Sequence, residues 1–317
     1  MNISVVIPLY NEAESLPKLY EWIERVMNEN KFSFEVIFVD DGSTDDSWAV
    51  IEGLQTKSPD NIRGIKFRHN YGKSPALHCG FQEAIGDVVI TMDADLQDSP
   101  DEIPELYSMI VNDNYDLVSG WKRKRYDSKL TKNLPSKLYN ATARMVTGIR
   151  LHDMNCGLKA YRNEVVKNIE VFGDTHRYIP YLAKNAGFTR IGEKVVKHRK
   201  REFGESKFGM NRFVNGYLDL ITLWFLSKFG KKPMHFFGLW GSLMFILGFI
   251  AVVAVGVNKL LALYKHIPER LVTDNPYFYL SLVAMILGTL LFLTGFLGEL
   301  ITRNAPERND YNIEKKI

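Results

Sequence analysis

Cysteine is nearly absent from this chain of 317 residues, with Cys79 and Cys156 its only two. Neither sits in a C-x-x-C spacing or beside a histidine pattern, which excludes a disulfide framework and a zinc site and leaves two reduced thiols. An excess of charge of either sign is also missing. The formal net charge is +3, and no basic stripe interleaved with aromatics occurs, so nucleic acid is excluded as a partner. The amino terminus has no basic stretch leading into a long apolar core. Met1-Asn2-Ile3-Ser4 runs straight into a strand-like segment, and the part that follows is expected to stay in the cytoplasm. Long apolar runs are lacking from the first two thirds of the chain but present in the last third. A mean hydropathy of -0.15 therefore describes neither part, and the length suits one sizeable core with an appended module.

Short β-rich runs alternate with helical patterns over roughly the first 120 residues, the signature of βαβ units in an α/β, mainly parallel sheet. Strands are predicted at Ile3 to Leu9, Phe34 to Val39, Ile62 to Phe67, Val88 to Met92 and Asp116 to Ser119. Helices are predicted at Glu12 to Asn28, Asp45 to Lys57, Ser74 to Ile85 and Pro100 to Val111. Each of the first four strands runs into a polar or glycine-bearing turn. In open parallel sheets ligands gather beyond the carboxyl ends of strands, so these turns are expected to line one crevice. Trp121 to about Arg201 is less regular, with a helix expected around Ser136 to Thr147. Arg212 to Phe229 reads as amphipathic, either lying in a membrane interface or packing on the preceding domain.

Phe236 to Val257 and Pro276 to Gly298 contain no charged residue. Each is long enough to cross a hydrocarbon core of about 30 Å as a helix. Two spans return the chain to its starting side, and Lys228, Lys231 and Lys232 before them, with Arg303, Arg308, Lys315 and Lys316 after them, put the stronger positive bias there. Lys259, Lys265 and Arg270 in the connecting loop dilute that bias. Phe236, Phe237, Trp240, Tyr277, Phe278 and Tyr279 suit an interfacial belt. The expected organisation is a domain over 1-210, a juxtamembrane helix over 211-232, a hairpin over 233-302 and a tail over 303-317. Both termini and the first domain are expected on the cytoplasmic side of a lipid membrane.

The most informative string is Val88-Val89-Ile90-Thr91-Met92-Asp93-Ala94-Asp95-Leu96-Gln97-Asp98. Side chains two apart on an extended segment face the same way, so Asp93 and Asp95 can present two carboxylates at a strand end. Oxygen ligands of that kind suit Mg²⁺ or Mn²⁺ that also binds substrate phosphates, and Gln97 could complete the shell. A second acidic turn, Asp40-Asp41-Gly42-Ser43-Thr44-Asp45, could accept bonds from ribose hydroxyls or a base edge through Asp40 or Asp41. Ser43 or Thr44 could instead cap the helix that follows. Gly72-Lys73-Ser74-Pro75 opens a helix whose N-terminus and lysine could favour a diphosphate. The run Lys122 to Arg125 is either a solvated face or a substrate contact. His176-Arg177 is either a substrate contact or a helix start, while His69 and His78 read as structural.

Taken together, Val6-Ile7-Pro8-Leu9-Tyr10-Asn11-Glu12, Asp40-Asp41-Gly42-Ser43-Thr44-Asp45, Asn70-Tyr71-Gly72-Lys73 and Asp93-Ala94-Asp95-Leu96-Gln97-Asp98 resemble the family 2 glycosyltransferases of the GT-A fold. Within them the chain is similar to the polyprenyl-phosphate glycosyltransferases, because Gly204-Glu205-Ser206-Lys207-Phe208 and two following spans also fit. The resemblance implies that Pro8, Tyr10, Glu12, Asp40 and Asp41 surround a nucleotide, and that Asp93, Asp95 and Gln97 hold the metal. It also implies that Asp153 lies near the sugar, and that Arg201, Ser206 and Lys207 meet the acceptor phosphate. The implied reaction is inverting transfer of a hexose from a UDP- or GDP-sugar to undecaprenyl or dolichyl phosphate. Asp153 would orient a substrate or act as a base, and a homo-oligomer is left open. Asn155-Cys156-Gly157-Leu158-Lys159 departs from the Gly-Asp-Phe-Arg string of the bactoprenol enzymes, which leaves sugar identity open. A processive synthase would carry Gln-x-x-Arg-Trp, which is absent here. A saccharide acceptor, or a membrane-anchored nucleotide-sugar-binding scaffold without turnover, remains the alternative.

Overall fold

The computed structural model describes residues 1–123, 144, 147–199, 225, 228–229, 232–268, 270–303 and 313–317. The chain divides into two compact units, one formed by Met1–Ile221 with Asn309–Ile317 and the other by Thr222–Arg308.

The first unit is built on an eight-stranded sheet ordered β7-β5-β6-β4-β1-β2-β3-β8. The strands are β1 (Ile3–Leu9), β2 (Phe34–Asp40), β3 (Ile62–Phe67), β4 (Val88–Thr91), β5 (Leu117–Trp121), β6 (Lys159–Arg162), β7 (Ile191–Val195) and β8 (Ile313–Lys316). Around the centre β4, β1, β2 and β3 run parallel, as the alternating pattern predicts. Beyond them β6 is antiparallel to both β4 and β5, and β8 is antiparallel to β3, so the sheet is mixed.

All seven residues of β1 and of β2 are buried. The two faces of β1 serve different cores, in keeping with the twofold alternation of side chains along a strand. Ile3, Val5, Ile7 and Leu9 pack with α1 (Leu16–Glu29), α2 (Ser47–Lys57) and α4 (Ile103–Val111). Val6 meets the opposite cluster, where α3 (Lys73–Glu83) contributes Ala76, Leu77 and Phe81. The helix at Asn163–Asn168 adds Val165 and Val166 to that second face.

Two expectations are corrected. The first helix begins at Leu16 rather than near Glu12, because Asn11 takes a positive φ of 57° and Ser15 N–H closes a turn onto the Glu12 carbonyl. The final residues are more than a tail. Gly64 and Ile317 exchange both backbone hydrogen bonds at 3.0 Å, and Lys316 reaches Glu83 at 2.8 Å. A Cβ on Gly64 would stand 2.9 Å from Ile317 Cγ1, so β8 lies against β3 where the chain is barest. The expected helix over 136–147 and most of the amphipathic segment over 212–229 lie outside the described residues.

The second unit is a pair of apolar helices, Met234–Tyr264 and Pro276–Arg303. Each contains an 18-residue stretch with a mean hydropathy of 2.3 and is long enough to be a candidate membrane span. Their seam is made of small residues. A Cβ on Gly241 would stand 2.6 Å from the Gly288 carbonyl oxygen, one on Gly288 would meet Gly241 in the same way, and one on Gly248 would stand 2.7 Å from the Ser281 carbonyl. Gly241, Gly248 and Ser281 are buried, while the large apolar side chains point outward.

Candidate active site

Four strand ends meet through a continuous set of contacts. At the end of β1, the Asn11 N–H donates to Ser43 Oγ at 2.9 Å and the Glu12 N–H to Ser47 Oγ at 3.0 Å, both beyond β2. Asn11 Oδ1 accepts the Thr44 N–H at 2.8 Å in return. Ser43 therefore ties turns together rather than capping α2, which has no side-chain cap. The next link is Asp41, whose two carboxylate oxygens accept the N–H groups of Tyr71 at 2.7 Å and Gly72 at 2.9 Å, after β3. Gly42 is obligatory here. It adopts a φ of 71°, and a Cβ would lie 2.6 Å from the His69 backbone. Lys73 follows immediately and ion-pairs with Asp93, beyond β4. Four turns far apart in sequence thus line one edge, as open parallel sheets require.

Within this edge, Asp40 and Asp41 differ in what they have left to offer. Both Asp41 oxygens are committed to backbone, whereas Asp40 accepts the Ser43 N–H through Oδ1 at 2.8 Å and keeps a buried Oδ2 with no partner among the described residues. Burial raises the Asp40 carboxyl and pushes Asp41 up to about 6, despite the two N–H donors. Pro8 is buried on β1, and Tyr10 and Glu12 are half-buried at its end.

The turn after β4 is the most charged part of the edge. Asp93 is a third exposed. Burial acts to raise its pKa, but Lys73 and Lys122 outweigh that and hold it well below the usual carboxylate range. Asp95 is buried, and its Oδ1 accepts the Gln97 N–H at 3.1 Å across a turn in which Leu96 has a φ of 61°. Lys122 is no solvated residue. It is mostly buried and pairs with the buried Asp98 at 2.7 Å, and Asp98 above all keeps it charged against the effect of burial. Gly157 lets the opposing backbone close in, since a Cβ there would lie 2.5 Å from Asp93 Oδ2. The Thr91 hydroxyl fixes that approach by donating to the Gly157 carbonyl at 2.9 Å.

This donor set fits a divalent cation of the expected kind. Among the described residues no three His, Cys, Asp or Glu side chains form a cage. Two carboxylates and an amide on one turn are what Mg²⁺ or Mn²⁺ needs when phosphates and water supply the rest.

Asp153 is buried nearby, with its own N–H on Glu193 Oε1 at 3.1 Å and its Oδ1 accepting from Asn155 N–H at 3.2 Å. The fold also brings in Lys159 and Ser74, for which the sequence alone indicates no role at the site, and seats His176, one of its candidate substrate contacts, beside them. Lys159, at the start of β6, is buried within electrostatic reach of both Asp153 and Asp93. Its ammonium bonds the Cys156 carbonyl, and burial lowers its pKa. The signal was a lysine entering an otherwise buried strand. Ser74 and His176 lie against each other, with burial, aided by Lys73, holding His176 well below its usual pKa. Cys156 is pushed up to about 12 by burial and stays a thiol. Arg201, Ser206 and Lys207 lie outside the described residues.

Known proteins match this arrangement. The glycosyl transferase family 2 model matches residues 4–170. The dodecaprenyl-phosphate galacturonate synthase of Rhizobium johnstonii is 32% identical over 96% of this chain and 88% of its own length. The undecaprenyl-phosphate 4-deoxy-4-formamido-L-arabinose transferase of Pectobacterium carotovorum is 34% identical over 100% of this chain and 94% of its own. Among solved structures, glucosyl-3-phosphoglycerate synthase from Mycobacterium tuberculosis, crystallised with Mn²⁺, UDP-glucose and phosphoglyceric acid, aligns with a TM-score of 0.51. It is 20% identical over 71% of this chain and 79% of that one, and the likeness shows the GT-A fold. With the acidic turn, its neighbouring strand ends and two polyprenyl-phosphate relatives in agreement, the chain belongs to the family 2 glycosyltransferases, in their polyprenyl-phosphate branch.

Proposed function

We propose that this enzyme transfers a sugar from a nucleoside-diphosphate donor to a polyprenyl phosphate, with inversion, at the cytoplasmic face of a membrane. One observation carries the reading. The chain of contacts from Asp41 through Gly72 and Lys73 to Asp93 joins a turn with a free buried carboxylate oxygen to a turn with two carboxylates and adjacent lysines. A nucleoside at Asp40 and a diphosphate beside Lys73 and Asp93 would bridge those turns. Pro8, Tyr10 and Glu12 flank the nucleoside in this reading, and Asp41 holds the third turn in place.

Asp93, Asp95 and Gln97 would hold Mg²⁺ or Mn²⁺, which when bound neutralises charge on the departing diphosphate. The remaining work falls to side chains. Lys73 and Lys122 supply positive charge at the diphosphate, which is worth most in a partly dry site. Arg201, Ser206 and Lys207 hold the acceptor phosphate. Being anionic already, that phosphate needs positioning more than deprotonation. One of its oxygens bonds to the anomeric carbon from the face opposite the leaving group, and the electron pair of the broken C–O bond departs on the nucleoside diphosphate. Asp153 orients sugar or acceptor, and the weaker alternative makes it a base.

The return of Ile313–Lys316 to the sheet supports a hairpin whose two ends leave the bilayer on one side. The catalytic domain is then 1-210, with 211-232 at the interface, 233-302 in the bilayer and 303-317 returning to the sheet.

Purified protein, undecaprenyl phosphate, Mg²⁺ or Mn²⁺ and a donor panel test the proposal, with the lipid product identified by mass. The panel takes in UDP-glucose, GDP-mannose, UDP-galacturonate and a UDP-linked 4-formamido-arabinose, the last two because the relatives carry those sugars in their names. Asp95→Ala is expected to abolish transfer. Full activity in the presence of a chelator would overturn the metal, and near-normal turnover of Asp153→Asn would exclude a base at that position.

A further inference from the structure

Ser74, the second residue of α3, is fully buried and makes two contacts with one distant residue. Its Oγ accepts the backbone N–H of His176 at 3.0 Å and stands 3.0 Å from Nδ1 of the same side chain. A serine hydroxyl carries one proton. With the backbone N–H donating to the oxygen and no acceptor for the hydroxyl among the described residues other than Nδ1, that proton is directed at Nδ1, which then offers a lone pair. The ring proton therefore resides on Nε2. Burial, reinforced by Lys73, Arg177 and Lys159, keeps the imidazole uncharged.

The location of His176 is fixed independently. It belongs to the short turn Thr175–Tyr178, anchored where the Phe172 N–H donates to Thr175 Oγ1 at 3.0 Å and the Thr175 hydroxyl donates to the Phe172 carbonyl at 2.7 Å. The charges that act most on the ring, among the described residues, are the cations of Lys73, Arg177 and Lys159 and the carboxylate of Asp93. Arg177 is itself buried, and its Nε has no partner among the described residues. Buried donors of this kind are costly unless a ligand meets them. The unmet Arg177 donor among these cations suits an anion with several acceptor oxygens.

We infer that His176 donates a hydrogen bond from Nε2 to a phosphoryl oxygen of the donor's diphosphate, and that Ser74 is the positioning residue that selects this tautomer. The lysines supply charge without direction, whereas an imidazole N–H held at its other nitrogen supplies direction without further crowding of positive charge. The inference rests on the proposed function, since it takes the nucleoside-diphosphate sugar from there.

Two measurements on the full-length protein in detergent test it. Nitrogen-15 histidine spectra, with H176Q used to locate the signal, are expected to show the Nε2–H tautomer at His176. Finding the Nδ1–H form there overturns the inference. Calorimetric titration with UDP, GDP and inorganic pyrophosphate, each with Mn²⁺, reads the contact itself. H176A and H176N should weaken binding about tenfold to a hundredfold, the usual size of a lost bond to a charged acceptor. H176Q, whose amide nitrogen can lie near the Nε2 position, should stay within about threefold of the wild type. S74A should lose about tenfold and mix the tautomers, and S74T should restore both. If H176A fails to fold, the contrast between H176Q and H176N and the Ser74 pair still decide. Wild-type binding with no response from H176N or S74A overturns this inference alone. Failure of the wild type to bind any of the three probes overturns the proposed function and this contact with it.

Discussion

The two units of this chain sort the same residue types in opposite senses. In the sheet unit Phe38, Phe67, Phe81 and Tyr161 are wholly buried. In the helical pair Leu239 is 66% exposed and Phe296 51% exposed, while Gly241, Gly248 and Ser281 fill the seam. Burial of apolar surface drives the first arrangement. It does not account for the second, whose large apolar side chains face outward and whose seam rests on close backbone approach and dispersion. The proposed membrane placement of the helices would fit one chain to two solvents, and its average composition belongs to neither unit.

The widest test of that contrast compares matched truncations. Phe38→Ala should cost the sheet unit about 3–5 kcal/mol, as for other large-to-small core changes. Leu290→Ala, at a side chain 54% exposed, should change stability by less than about 0.5 kcal/mol. Denaturant unfolding of both variants in detergent reads the difference, and equal costs would break the comparison.

The reverse experiment enlarges a seam residue. Gly288→Leu puts side-chain atoms where a Cβ alone would meet the Gly241 carbonyl at 2.6 Å, with an expected cost of about 1–3 kcal/mol from overpacking. Gly256→Leu has nothing within 4 Å and should be tolerated. Faster proteolysis between the helices in the first variant only, with nucleotide binding unchanged in both, would sharpen the distinction.

A smaller effect comes from pH. Asp41 has its folded pKa raised from 3.8 to about 6, so between those values the folded state binds more protons than the unfolded one. The contribution of Asp41 should therefore rise by about 1 kcal/mol as pH falls from 7 to 5, while His176, held below its usual pKa, contributes in the opposite sense over the same window. Asp93 acts in the opposite sense, but its stabilisation is lost only as pH falls through its depressed pKa, below this window. Melting of the sheet unit should differ in pH slope between the wild type and Asp41→Asn by that amount, the wild type gaining more, or losing less, as pH falls.

Smallest of all, Lys316→Ala removes an ion pair to Glu83 that is half exposed on the lysine side. It should cost less than about 1 kcal/mol, read as a slight shift in the same melting curve.

How much of this could be read from the letters depended on the physics at each position. The bounds of β1 and β3 were legible because unbroken apolar or alternating runs end at polar turns. The ordered acidic motifs gave the family. The partners of those motifs were not legible, because they are set by tertiary contact: Asp41 with the third turn, Lys73 with Asp93, and Lys122 with Asp98. Lys122 sits in a basic run that looks solvated, and only the fold puts a buried carboxylate beside it. Ser74 likewise carries no local signal of its surroundings. Ile313–Lys316 escaped notice because Glu314, Lys315 and Lys316 read as a wet tail. Yet edge strands often carry such charges, which deter pairing with other chains.

That last strand has a consequence for how the molecule comes into being. β8 lies in the sequence beyond both apolar helices, yet it occupies the flank of a sheet whose other seven strands precede them. During synthesis the β3 flank therefore stays bare until the hairpin has been made and the polypeptide has doubled back. Completion of the sheet becomes a late checkpoint: a product cut short in the hairpin would leave an open β-edge as a mark of its unfinished state.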